Sequence, residues 1–479
     1  MNVSNQNNKK YTTLISNSFI FALGSFGAKI ISFFLVPLYT NILTREQYGT
    51  ADLIISYSNI IVPIASLVIQ DSVLRFGLSR KYLKGSVLKS AIIVLLFGIL
   101  ICFFFSYAFN IYPSLNEWRL YLFVIPVCNM LHSVVFNYTK AKERNKLYAF
   151  ASMLNALVLA VVNIVLLVFF KMGVEGYLIA NILANIMPTI FLIIFIGALS
   201  DFIKSPFDKN LFIDMIKYSV PMIINNLSWW VLNSSDKVMI EKYISSSELG
   251  LYTAASKIPA FVYFFISIFS QAWSVSSIKE YETEKNQRFY SNVFSHYSIL
   301  MFFTCAFIIL IIKPFMSFYV GKHFEGCWYL IPPLLVGTTF YSFVAFFSGI
   351  LEATKKNKIA AITTLIAAIS NIIINLLLIP KVGTIAASFS TAVSYIIIAF
   401  LRMKLSQKYF HFYIDFRRLY SNSMCIIVLM IAIELNLNIY ICSILCIIIL
   451  LFINLSQLES LLKWVVDQVK NRLKCLVVK

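Results

Sequence analysis

The chain has 479 residues, of which 59% are hydrophobic and only 13% are charged. Soluble globular chains carry about 25% charged residues, so a soluble fold is excluded and a polytopic membrane protein is expected. The formal net charge of +19 does not by itself point to nucleic acid, because Lys and Arg of a membrane protein gather on its cytoplasmic side.

Apolar runs near or above the ~18 residues that mark a spanning helix recur along the chain. About fourteen spans are placed, at approximately 12–42, 49–76, 86–109, 117–138, 146–170, 175–199, 211–238, 249–277, 289–319, 327–351, 359–379, 383–402, 421–436 and 438–456. No stretch alternates as a barrel strand would. The first run is too long for the core of a signal peptide, so it is expected to stay in the membrane. With the N-terminus inside, most Lys and Arg fall in cytoplasmic connections, for example Lys81, Lys84 and Lys89, then Lys140, Lys142 and Arg144, then Lys355, Lys356 and Lys358, and Arg402 with Lys404. This bias predicts that both termini are cytoplasmic.

Three segments of the first half recur in order in the second. Leu43-Thr-Arg-Glu-Gln-Tyr-Gly49 aligns with Ile244-Ser-Ser-Ser-Glu-Leu-Gly250. Ala141-Lys-Glu-Arg-Asn-Lys146 aligns with Ala353-Thr-Lys-Lys-Asn-Lys358, and Gly176-Tyr-Leu-Ile-Ala with Gly383-Thr-Ile-Ala-Ala. Six spans per half is an even number, so both halves enter the membrane in the same sense. The expected fold is all-α: two six-helix bundles, residues 1–200 and 201–408, related by a pseudo-two-fold axis along the membrane normal. Residues 409–479 add an interfacial aromatic and basic segment, two further transmembrane helices and a basic amphipathic tail.

Charges in membrane segments cost about 2.5–3.5 kcal/mol on insertion scales and must face protein, water or a ligand. They concentrate at residues 211–279, where Lys217, Asp236, Lys237 and Lys257 fall on the seventh and eighth spans. Lys29 lies midway along the first span. Asp71 and Arg75 stand four apart on the second, a spacing that permits an ion pair on one helix face. Asp236 and Lys237 are adjacent and do not share a face, which makes Lys257 the expected partner of Asp236. Asn225, Asn226, Trp229 and Trp230 sit mid-span between these charges, where aromatic faces and amides suit a sugar or simply pack between helices. Gln271 and Trp273 on the eighth span are weaker candidates. The eight Cys and four His show no metal spacing, and no cofactor motif is present. There is no ATP-binding motif, no Ser-His-Asp arrangement and no paired-carboxylate motif, so the chain is not expected to be an enzyme.

Asp236-Lys-Val-Met-Ile and Glu248-Leu-Gly-Leu-Tyr-Thr-Ala-Ala-Ser-Lys257, with Pro37-Leu-Tyr and Leu43–Gly49 in the first half, resemble the Wzx-type polysaccharide flippases. These belong to the multidrug/oligosaccharidyl-lipid/polysaccharide exporter superfamily. The resemblance covers nearly the whole chain. It implies export of undecaprenyl-diphosphate-linked oligosaccharide units to the outer face of a bacterial plasma membrane, for O-antigen, capsule or another surface polysaccharide. The implied partners are that substrate, membrane lipids, and a polysaccharide polymerase and chain-length regulator of the same pathway, with no nucleic acid. It further implies a cavity lined mainly by the first two spans of each half. On that reading Lys29, Arg75, Lys217 and Lys257 meet the diphosphate, Asn225, Asn226, Trp229 and Trp230 the sugars, and Asp71 and Asp236 serve in coupling or ion pairing. The alternatives are a cation-coupled multidrug antiporter of the same superfamily, a membrane scaffold without transport, and a membrane glycosyltransferase, for which the outer connections are short.

Overall fold

The computed structural model describes the backbone at residue 27 and over 30–79, 81–108, 113–283 and 286–477, with side chains as far as Glu459 except at 113, 114 and 283. Among these residues every regular element is helical. In chain order the main helices are α1 (Ile30–Ile42), α2 (Arg45–Ala65), α3 (Ile69–Gly77), α4 (Lys84–Ala108), α5 (Arg119–Ala141), α6 (Asn145–Asn163) and α7 (Gly173–Phe195). There follow α8 (Ala198–Lys204), α9 (Lys209–Tyr243), α10 (Ser246–Thr283), α11 (Gln287–Tyr319), α12 (Ile331–Ala353), α13 (Asn357–Val382), α14 (Ile385–Gln407), α15 (Phe416–Glu434) and α16 (Ile439–Val477).

Each predicted span coincides with a helix in whole or in part. Among the described residues, eleven helices are long and apolar enough to cross a bilayer, or twelve if the bent pair α2–α3 counts as one. The expected fourteen is therefore not reached on those criteria. α9 runs for 35 residues but its uncharged middle, with Asn225, Asn226, Asn233 and several Ser, is too polar, and the first predicted span begins outside the described residues. The last span and the predicted amphipathic tail form one continuous helix, α16.

The second predicted span is broken. α2 and α3 meet at 56°, because Leu67 and Val68 take left-handed φ values of 50° and 54°. A β-branched residue there is strained. Ser66 supports the break: its hydroxyl donates to the Val62 carbonyl and accepts from the Val68 N–H. Sequence reading ran the span through this point because Ser66-Leu-Val-Ile69 itself contains neither Gly nor Pro, while Pro63 lies inside α2 without ending it.

The chain divides into two compact units. One comprises Met1–Phe264, Tyr319–Cys327 and Ala368–Ala387, the other Phe265–Phe318, Trp328–Ala367 and Ser388–Lys479. In the first unit, Ile61, Val73, Val87, Ala91, Val134 and Leu192 form a continuous apolar core between α2, α3, α4, α5 and α7. Near its edge, Asp201 on α8 accepts from Tyr138 and pairs with Lys142 at 2.6 Å. Burial pushes the Asp201 carboxyl up, but the hydrogen bonds from Lys142 and Tyr138 outweigh it and hold the group below its ordinary value.

Repeated local geometry accompanies the repeated sequence. After α5, the N–H of Arg144 donates to Thr139 and Glu143 takes φ 59°; after α12, the N–H of Lys356 donates to Leu351 and Lys355 takes φ 59°. Both are left-handed helix ends with the same long-range bond that closes a Schellman cap. In the first unit the α1–α2 and α9–α10 turns interlock reciprocally. A Cβ on Gly49 would lie 2.2 Å from the Ser246 carbonyl oxygen, and one on Gly250 2.0 Å from that of Arg45. Arg45 and Ser246 are themselves equivalent in the repeat, so each turn offers the other the same glycine and the same carbonyl.

Candidate functional site

The site is built in the first unit by α2, α9 and α10, around a carboxylate that sequence reading passed over. Asp52 lies two turns into α2, whose start is fixed by a capping box between Thr44 and Gln47. Its side chain is only 7% exposed. Lys237 on α9 reaches Oδ2 at 2.6 Å, and Lys257 on α10 reaches Oδ1 at 3.3 Å. The Thr253 hydroxyl adds a bond to Oδ2 at 3.2 Å. Thr253 and Lys257 share a face of α10, one turn apart. The Lys257 ammonium also lies 5.8 Å from the centre of the Tyr48 ring, within range of a cation–π contact. One carboxylate thus faces two ammonium groups, and the three groups together carry an excess of one positive charge.

Beside this cluster a cavity of about 190 Å³ is lined by Ser32, Phe33, Val36, Lys257, Ala260 and Phe261. Lys257 is therefore shared between Asp52 and open space. Apart from Ser32, the rest of the wall from α1 and α10 is apolar and aromatic, with Phe33 and Phe261 ring centres 4.5 Å apart. A desolvated wall raises the value of each charge that opens onto the cavity.

The partner expected for Lys257 was Asp236, and the structure gives Asp52 instead. The carboxylate of Asp236 accepts from the Tyr252 hydroxyl and from the Lys237 backbone N–H. It is buried beside a polar group in which Ser235 donates to the Asn371 side-chain oxygen and Asn375 donates to the same atom. Adjacent residues on α9 thus separate as expected: Lys237 turns to Asp52 while Asp236 turns to Tyr252.

The remaining predicted residues divide. Trp230 donates its indole N–H to the Ser56 carbonyl at 2.8 Å, one turn along α2 from Asp52, which ties it to the same cluster. Asn226 bonds to the Met222 carbonyl of its own helix, and Asn225 and Trp229 are half-buried. Lys217 is exposed. Arg75 is exposed too, with its guanidinium 4.9 Å from the Tyr218 ring centre. Among the described residues no ion pair joins it to Asp71, so the expected i, i+4 pair does not form. Lys29 lies outside the described residues. Trp273 packs structurally in the second unit: it stacks on Phe346 at 4.4 Å, donates to the Phe346 carbonyl and fills the space left by Gly349. Gln271 is exposed.

Sequence reading missed two charges. Asp52 is one of two acids in the second span, with Asp71, and the argument applied to residues 211–279 would have found it. Arg402 in the second unit was read as a cytoplasmic loop charge, yet it is 2% exposed. Its guanidinium donates to Ser348, Thr363, Thr364 and the Ala360 carbonyl, and among the described residues no carboxylate pairs with it. Among the described residues no group of His, Cys, Asp and Glu could hold a metal ion.

An all-helical fold with eleven or twelve candidate membrane spans among the described residues defines a multi-pass membrane protein, and solved structures share that fold. The chain matches the lipid II flippase MurJ in its inward closed conformation with a TM-score of 0.70 at 15% identity, covering 93% of this chain and 100% of that one. It matches an inward-facing MATE-family multidrug resistance transporter of the MOP superfamily with a TM-score of 0.63 at 13% identity, over 79% and 97% of the two chains. At these identities the likeness is one of fold. The polysaccharide biosynthesis protein family model matches residues 14–274 and the MatE model residues 221–377. The chain belongs to the polysaccharide biosynthesis protein family. An uncharacterized membrane protein of Haemophilus influenzae is 22% identical over 68% of this chain and 81% of its own length. A "probable low-salt glycan biosynthesis flippase Agl15" of Haloferax volcanii is 23% identical over 42% of this chain and 43% of its own length.

Proposed function

We propose that this protein flips undecaprenyl-diphosphate-linked oligosaccharide repeat units from the cytoplasmic to the outer face of a bacterial plasma membrane, with both of its termini in the cytoplasm. The observation that carries the reading is the cationic cluster: Lys237 and Lys257 converge on Asp52 beside a cavity in a chain of a polysaccharide biosynthesis family. Ammonium groups meet phosphate oxygens as point charges, and a diphosphate is the charged part of this substrate. Lys29, Arg75 and Lys217 are assigned as further contacts for the phosphates, and Asn225, Asn226, Trp229 and Trp230 on α9 for the sugars. The relatives described as flippases, one for lipid II and one for glycan biosynthesis, support a lipid-linked saccharide.

The mechanism is alternating access. Halves 1–200 and 201–408 rock about the pseudo-two-fold axis, the diphosphate stays on the basic groups and the lipid tail remains in the bilayer. Asp71 and Asp236 are the carboxylates for coupling to an ion gradient. A polymerase and a chain-length regulator would take the product on the outer side. The test is transport of labelled lipid-linked oligosaccharide in proteoliposomes: the wild-type protein moves it, and Lys257→Ala slows it at least tenfold. Equal transport by the two, at equal incorporation, would sink the reading.

A second reading is a cation-coupled multidrug antiporter. The buried carboxylates Asp52 and Asp236 and the fold shared with multidrug transporters favour it. Drug efflux in cells that express the protein, with no flipping of lipid-linked sugar, would select it.

A further inference from the structure

We propose that Asp52 is a resident counter-anion: it occupies Lys237 and Lys257 while the cavity is empty, and the phosphate groups of the substrate displace it during loading. The inference rests on the flippase reading above and adds to it the group with which the substrate competes. Three observations point to exchange rather than a permanent pair. The contacts are unequal: Lys237 lies at 2.6 Å from one carboxylate oxygen and Lys257 at 3.3 Å from the other. The looser lysine is the one that lines the cavity, and its side chain is 27% exposed against 14% for Lys237. Asp52 has a further neutral donor, Thr253, so it keeps a hydrogen bond when a lysine leaves.

The chemistry explains why such a group is needed. Without Asp52, Lys257 at the cavity wall and the half-buried Lys237 would each be desolvated and uncompensated. A diphosphate carries more negative charge than one carboxylate and offers more acceptor oxygens, so it wins the lysines at close range. Once it departs, Asp52 reclaims them, and the site is returned to a compensated state without ions from solution. The repeat shows that the arrangement is not a by-product of symmetry. The position equivalent to Asp52 in the second half is Thr253, and the position equivalent to Lys257 in the first half is Ser56. The acid and the base are each present once, on opposite members of a pseudo-symmetric pair of helices. Nothing in a symmetric scaffold requires that, whereas a single switchable pair does.

The test measures binding of inorganic pyrophosphate to the purified full-length protein, and flipping in proteoliposomes, for the wild type, Asp52→Asn, Lys257→Met and Lys237→Met. Asp52→Asn should bind pyrophosphate about tenfold more tightly yet flip more slowly, because the competitor that helps release is gone. The lysine variants should lose binding. If Asp52→Asn binds no more tightly while the lysine variants do lose binding, the exchange is refuted and the basic cavity stands. If the lysine variants bind as the wild type does, the cavity reading itself falls. Should Asp52→Asn fail to fold, the wild-type protein still decides. Carbodiimide coupling of Asp52 to Lys237 or Lys257, read by mass spectrometry, should fall about tenfold when pyrophosphate is present. The Lys142–Asp201 pair, at 2.6 Å and away from the cavity, should couple equally with and without it and so controls for loss of reagent. Undiminished coupling at Asp52 would overturn the proposal.

Discussion

Two buried charges, one in each compact unit, are compensated in opposite ways. Asp52 in the first unit meets two lysines, one of which opens onto a cavity. Arg402 in the second is nine-tenths or more enclosed and is held by neutral oxygens of α12 and α13. Charge–charge compensation can be exchanged for another ion, since both partners remain strong ligands when they separate. A guanidinium wrapped in hydroxyls and a carbonyl has no such alternative, and its donors fix three helices in register. Burial of a charge therefore does not by itself mark function; the character of its partners and its access to a cavity do.

Substitutions should separate the two cases. Arg402→Met carries the largest expected effect, a loss of about 3 kcal/mol, because the hydroxyls around it lose their shared donor and helix packing with it. Thermal unfolding of the detergent-solubilised protein checks this, and transport should fall only in proportion to folded protein. Lys257→Met should do the reverse: flipping falls about tenfold, equivalent to about 1.4 kcal/mol in the barrier, while the unfolding midpoint shifts little because Lys237 still compensates Asp52. A large midpoint shift for Lys257→Met with normal specific transport would erase the contrast. Trp273→Phe should cost about 1 kcal/mol for the lost indole bond to Phe346 and leave transport per folded molecule unchanged. Lys217→Ala should be the mildest, slowing flipping less than Lys257→Met does in the same assay, since Lys217 is exposed.

The helices were legible because long apolar runs have no other stable form in a bilayer, and the equivalence of certain turns because their sequences repeat. Glu143 and Lys355 even share a left-handed cap that needs no glycine. Lys257 was legible as a charge in the wrong solvent. Its partner was not, because a partner on another helix depends on packing and not on spacing along one chain. The same limit misassigned Arg402: the positive-inside bias places a residue near the cytoplasmic side but says nothing of whether helices close over it. Asp71 and Arg75 show the converse, since correct spacing on one helix did not make a pair when Tyr218 offered the arginine another face.

The break at Leu67 and Val68 makes the second span a jointed rod. Asp52 is carried by the segment before the joint, Asp71 and Arg75 by the segment after it. A tilt of the segment after the joint would be absorbed there and would not pull on the lysines that grip Asp52. One end of this crossing is therefore free to change direction while the other keeps its ion pairs.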